Sequence, residues 1–212
     1  MSNGLRREIV SALKRRDYDG LIGLWIRHHQ VIRILISMTY DKKDIIAWRA
    51  MEAIGHITKA MSRENPEDVR NLAGRLLWMM RDESGGIGWS APEILGEIIR
   101  NNPELCSDLV PVLMSFHEEQ MLRAGVLWAA GRIAEAHREL VLSAMPMIVS
   151  YLDDPVPYVR GMAVWALSKM KVRGHEAPLR GLISDTGVMI IYDDGEFRER
   201  TIGELAQIAS EA

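Results

Sequence analysis

The sequence predicts an all-α protein of the solenoid class, an α-α superhelix of about five helical repeats. Three observations carry this expectation. Similar segments recur at intervals of 35 to 41 residues. Each joins a helix pattern rich in small residues to a second, apolar one. At 212 residues and 48% apolar composition, the chain can bury a sizeable core.

Residues 4–40 read as two or three short helices, broken near Asp17–Gly20 and His28–Gln30, that form a degenerate N-terminal cap. Leu5, Ile9, Ala12 and Leu13 share one helix face, opposite Arg6, Arg7, Lys14, Arg15 and Arg16. Residues 1–40 carry a net +4 and residues 41–212 a net −7. The basic face reads first as a solvated helix surface and second as a contact for an acidic partner.

The repeats follow over 41–183. Segments 48–57, 89–98, 123–133, 160–170 and, more weakly, 198–206 align on the small residues Gly55, Gly96, Gly131, Ser168 and Ala206. Small side chains there let neighbouring helices approach closely, so that stacked units bury faces that one helix pair alone cannot. The second helices are expected over 68–80, 104–116, 139–152 and 176–183, where apolar residues keep helical spacing. Asn65-Pro66 reads as a cap followed by a proline at the first helical position, and Ser90 with Glu93 as a capping box. Trp48 and Trp89 share one repeat position and Trp128 and Trp165 another, which points to packing between repeats.

The run from Asp154 to Ser168 resembles a known family. Asp154, Val159, Arg160, Ala163, Ala166 and Leu167 fit the pattern of HEAT-like repeats of the phycobilisome-lyase type, with Ser168 where that pattern has glycine. The resemblance implies an armadillo-like α-solenoid over residues 41–183. For function it implies a scaffold or adaptor, with enzymes in some branches. Arg123 and Arg160 fall where this family places arginine, and each is expected to pair with an acid or carbonyl of the preceding unit, such as Asp154 for Arg160.

The C-terminal cap, 184–212, departs from the repeat. Val188–Tyr192 is β-branched and aromatic, and Asp194-Gly195 signals a hairpin turn. Thr201 with Glu204 reads as a capping box for a last helix. A hairpin plus helix is preferred here, and a sixth helical unit is the rival. The whole chain is expected to form one repeat domain.

Chemistry concentrates in one stretch. Gly85, Gly86 and Gly88 precede a helix start, but no Gly-Lys-Ser/Thr follows, which excludes a Walker A loop. Asp82, Glu83, Glu93 and Glu97 would repel a phosphate. A long turn needing positive φ accounts for the glycines. As a binding surface, the candidates are Ser84, Gly85, Gly86, Trp89, Glu93 and Glu97, with Trp89 as the aromatic anchor. The resemblance raises a second possibility, because HEAT-like hydroxylases bind iron through His-Glu pairs. His117-Glu118 and His175-Glu176 are the weak metal candidates; they are two pairs where four are needed, and they lie at unequal repeat positions.

The lone Cys106 excludes an internal disulfide framework and reads as a packing residue. The acidic balance of 41–212 argues against a nucleic-acid phosphate surface. No apolar run approaches the ~18 residues of a membrane helix. The expectation is a cytoplasmic, non-catalytic protein-binding scaffold with no cofactor, whose partner is another protein. The alternative is a HEAT-like lyase or metal-dependent hydroxylase.

Overall fold

A computed structural model describes residues 2–81, 87–171 and 176–211. The all-α class with a C-terminal hairpin is the one the sequence predicts. The chain forms two compact units, residues 1–106 with 194–196, and residues 107–193 with 197–212.

In the first unit, residues 4–40, expected to hold two or three short helices, lie in α1 (Ser2–Arg15), α2 (Tyr18–Arg27) and α3 (Val31–Ile36). Asp17 ends the first break by accepting from the Gly20 N–H at 2.8 Å. They pack on α4 (Ile45–Met61), which Asp44 caps through the Ile46 N–H. Next come α5 (Pro66–Arg81), α6 (Ala91–Asn101) and the short α7 (Pro103–Cys106). The proline at the start of α5 lies where the sequence puts it; the Asn65 side-chain amide donates to Asp68 at 2.8 Å. Helices α4 and α6 lie side by side, because Gly55 presents no side chain between them. A Cβ there would sit 2.8 Å from the Glu97 carbonyl and 2.6 Å from the Asn101 amide. Arg49, buried on α4, donates to the carbonyls of Lys14 and Gly195 and pairs with Glu196 at 2.7 Å.

The second unit holds α8 (Val110–Ser115), α9 (Arg123–His137), α10 (Met145–Ser150), α11 (Pro157–Met170) and α12 (Glu176–Gly181). Strands β1 (Val188–Asp193) and β2 (Glu196–Thr201) and helix α13 (Ile202–Glu211) complete the fold. Gly125 to Ala134 of α9 and Gly161 to Leu167 of α11 are buried without a break, so both helices are enclosed on all sides. At their crossing a Cβ on Gly131 would run into the Trp165 ring. Trp165 stacks on Trp128 at 6.2 Å and 6°, and Trp128 Nε1 donates to the Tyr192 carbonyl at 3.1 Å. Above the pair, Arg132 lies over Trp128 and Lys169 over Trp165. Glu135 joins the two cations at 2.7 and 2.9 Å. Burial alone would lower the Lys169 pKa, but hydrogen bonds to Asp193 and Glu135 outweigh it and hold the ammonium above its ordinary value.

Arg123 and Arg160 make a repeating stitch. Arg123 donates to the carbonyl six residues before it, His117, and pairs with Asp154 at 3.4 Å. Arg160 does the same with the Asp154 carbonyl and with Asp185 at 2.8 Å. Asp154 and Asp185 each also accept from the N–H two residues on. Each arginine thus binds the linker before its helix and an acid further along the chain, Asp154 just before α11 or Asp185 just before β1.

Two of the expected second helices are broken. Residues 104–116 split into α7, a 3₁₀ turn and α8, and 139–152 into 3₁₀ turns around α10. The cause is in the sequence: Pro111 and Pro146 lack the N–H an uninterrupted helix needs, and each sits in the first turn of a new one. The hairpin forms as the sequence predicts. Asp194 and Gly195 have φ of 53° and 79°, the left-handed pair that a tight two-residue turn requires. The last capping box also forms, with Thr201 and Glu204 exchanging side-chain-to-backbone bonds at 2.8 and 3.1 Å.

Gly131→Ala is expected to destabilise the protein by about 1–3 kcal/mol, because the Trp165 ring is locked in its stack and the strain exceeds the roughly 1 kcal/mol of helix propensity gained. Gly161→Ala meets the thioether of Met189, which can turn away, and should cost less. Urea midpoints of the two variants check the order.

Candidate functional site

Ser84, Gly85 and Gly86 lie outside the described residues, as does His175. The flanks of that stretch are defined. After α5, a 3₁₀ turn over Ile87–Ser90 leads into α6. It lies tight against the end of α5, since a Cβ on Gly88 would sit 2.8 Å from the Met79 carbonyl. Trp89 is 51% exposed, and on α5 Trp78 is 64% exposed. The other four tryptophans are buried.

Lys42 fixes this turn from below. Its Nζ donates to the Trp89 carbonyl at 2.7 Å and to Glu93 Oε1 at 2.6 Å. Glu93 is only 2% exposed, and its second oxygen is buried with no hydrogen-bond donor among the described residues. The expected capping box of Ser90 and Glu93 does not form. Ser90 instead donates to the Thr39 carbonyl at 2.7 Å, and Glu93 turns inward to Lys42. Pro92, with its fixed φ and missing N–H, begins α6 without a side-chain cap.

One turn further, Glu97 is fully buried and pairs with Arg100 at 3.6 Å. It faces His56 of α4. His56 stacks on Tyr18 with ring centroids 4.5 Å apart, and the Tyr18 hydroxyl donates to Glu52. Burial pushes the His56 pKa below its ordinary 6.5, and the carboxylates of Glu97 and Glu52 only partly restore it.

Of the metal candidates, His117 is held by local partners. The Tyr151 hydroxyl lies 2.6 Å from the His117 ring and donates to the His117 carbonyl, while Arg123 covers the Tyr151 ring. Glu118 is exposed, and Glu176 starts α12. Among the described residues, no three His, Cys, Asp or Glu side chains are grouped to hold a metal ion. No described helix is long and apolar enough to cross a membrane.

Sequence reasoning passed over two members of this site. Trp78 lies off the apolar stripe of Val69, Leu72, Ala73, Leu76 and Met80, and that offset was a readable signal. Lys42 meets Glu93 across 51 residues, and no local pattern announces it.

With this geometry in place, comparison with known proteins becomes informative. Residues 120–170 match the HEAT-like repeat family. An uncharacterised protein of Archaeoglobus fulgidus is 30% identical over 176 residues, covering 81% of this chain and 91% of that protein. The chain belongs to the same family as this archaeal protein. Importin subunit alpha-8 of Arabidopsis thaliana is 30% identical over 105 residues, which is 45% of this chain and 23% of the importin subunit. The crystal structure of an engineered protein aligns with a TM-score of 0.56 at 15% identity, covering 98% of this chain and 86% of that one. That likeness concerns the fold.

Lys42→Met should destabilise this HEAT-like chain by about 1–3 kcal/mol, because it strands the buried Glu93 carboxylate. Adding Glu93→Met should recover part of the loss in chemical denaturation. His56 gives a pH signature. Its folded pKa lies below the unfolded one, so the unfolded chain binds the proton more readily. The stability that neutral His56 provides is complete above about pH 6.5 and is lost as pH falls through the folded value. Denaturation midpoints between about pH 7.5 and about pH 5.5 should drop less in His56→Gln than in the wild type.

Proposed function

We propose that this chain is a non-catalytic protein-binding scaffold whose partner contacts the surface around Trp89 and Trp78, beside the stretch holding Ser84, Gly85 and Gly86. The observation that carries this reading is the exposure of these two tryptophans when the other four are buried. Tryptophan is the side chain most enriched among residues that dominate binding energy. The Lys42 bridge fixes the Trp89 backbone before any partner arrives, which lowers the ordering cost of binding. Glu93 and Glu97 act as buried supports rather than contacts. The HEAT-like repeat match at 120–170 supports a scaffold role, and so does similarity to an importin subunit, by its name a component of an assembly. The pattern at 154–168 supports a relationship to the phycobilisome-lyase type within those repeats, and the cytoplasm is the setting this reading assigns.

Affinity capture from native lysate tests the reading, with the wild type beside Trp89→Ala, Trp78→Ala and a control in the second unit, Ile208→Ala. A partner held by the wild type and the control should be lost about 30-fold or more in at least one tryptophan variant. Equal retention by all four proteins would remove the tryptophan face from the proposal.

A further inference from the structure

The first unit carries a groove of about 820 Å³ between α3 and α5, and neither Trp78 nor Trp89 lines it. Both helices pack on α4. With six residues α3 is only about 9 Å long, whereas the sixteen of α5 span about 24 Å. The shorter helix leaves the flank of α5 open. The groove floor is apolar, formed by Ile32 and Ile36 of α3, Met61 of α4, and Leu72 and Leu76 of α5.

Arg33 of α3 lines one wall, and charge is ordered along the α5 wall. Glu64 and Asp68 stand at the start of α5, Asn71 follows, and Arg75 lies two turns beyond Asp68, about 10 Å along the axis. Asp68, Asn71 and Arg75 share one helix face. The walls are helices whose backbone groups bond internally. An extended segment laid here would leave its own N–H and C=O groups unpaired against an apolar floor, whereas a helix satisfies its own.

We infer that this groove receives an amphipathic helix of a partner protein. Its apolar residues at i, i+4 and i+7 sit on the floor. A basic residue in its first turn meets Glu64 and Asp68, and an acidic residue two turns later meets Arg75. The inference rests on the reading of the chain as a protein-binding module but uses none of the tryptophan face.

The test is fluorescence anisotropy of the full chain with labelled helical peptides of about four turns. One has the leucine stripe with lysine first and glutamate last, one has the charges exchanged, and one has the same composition scrambled to remove the stripe. The first peptide should bind saturably, about tenfold tighter than the exchanged one, with no saturable binding of the scrambled one. Ile36→Asp should weaken it at least about tenfold, and the pair Glu64→Lys with Arg75→Glu should invert the charge preference. Trp89→Ala should leave peptide affinity unchanged, so loss of this groove and loss of the tryptophan face are told apart. Glu64 and Arg75 are exposed, so the inversion decides the matter even if Ile36→Asp fails to fold. Three results would overturn the inference: equal binding of the scrambled peptide, no saturable binding below about 1 mM, or a concentration-dependent dimer that Ile36→Asp abolishes, which would make a second copy of this chain the occupant.

Discussion

Two helices can pack only as closely as the side chains between them allow, and the interior of each unit depends on that limit. Where Gly55 meets α6 and Gly131 meets Trp165, the absent Cβ is what permits contact. In the second unit the same approach brings Trp128 and Trp165 into a stack, which in turn seats Arg132 and Lys169 above the rings. In the first it encloses His56, whose burial lowers its proton affinity while the carboxylates of Glu97 and Glu52 only partly restore it. Packing density here comes first and electrostatics follows from it.

Polar groups then fix the register of what packing has brought together. Arg123 and Arg160 bind carbonyls six residues upstream and acids further along the chain, Asp154 and Asp185. These pairs are largely buried, so the cost of taking both charges out of water offsets much of their attraction. Their value lies in geometry, since guanidinium groups with fixed donors reward one linker path over its neighbours. The buried Nε1 of Trp165, which has no acceptor among the described residues, shows the opposite side of this arrangement. There the ring stack prevails over one unmade hydrogen bond.

The surfaces assigned to partners are by-products of the same construction. Lys42 is drawn to Glu93 because a buried carboxylate needs a cation, and the same ammonium holds the Trp89 carbonyl and so leaves an aromatic ring in water. The groove between α3 and α5 exists because the N-terminal cap supplies a helix of six residues against one of sixteen.

The sequence by itself determined the features that local chemistry decides. The repeat spacing, the N-terminal breaks, the Asp194-Gly195 turn and the Thr201–Glu204 box all depend on residues within a few positions of one another, and all can be read without coordinates. Even the two broken helices were legible, since Pro111 and Pro146 forbid the continuous reading that the apolar spacing suggests. Tertiary structure alone decided how Ser90 and Glu93 are used. Their spacing suits a capping box, but Thr39 and Lys42, 51 residues away, compete for the same side chains and win. It also decided that Trp48 is buried while Trp89, at the same repeat position, is exposed. Burial depends on what the rest of the chain brings over a residue, and a periodic pattern carries no information about that.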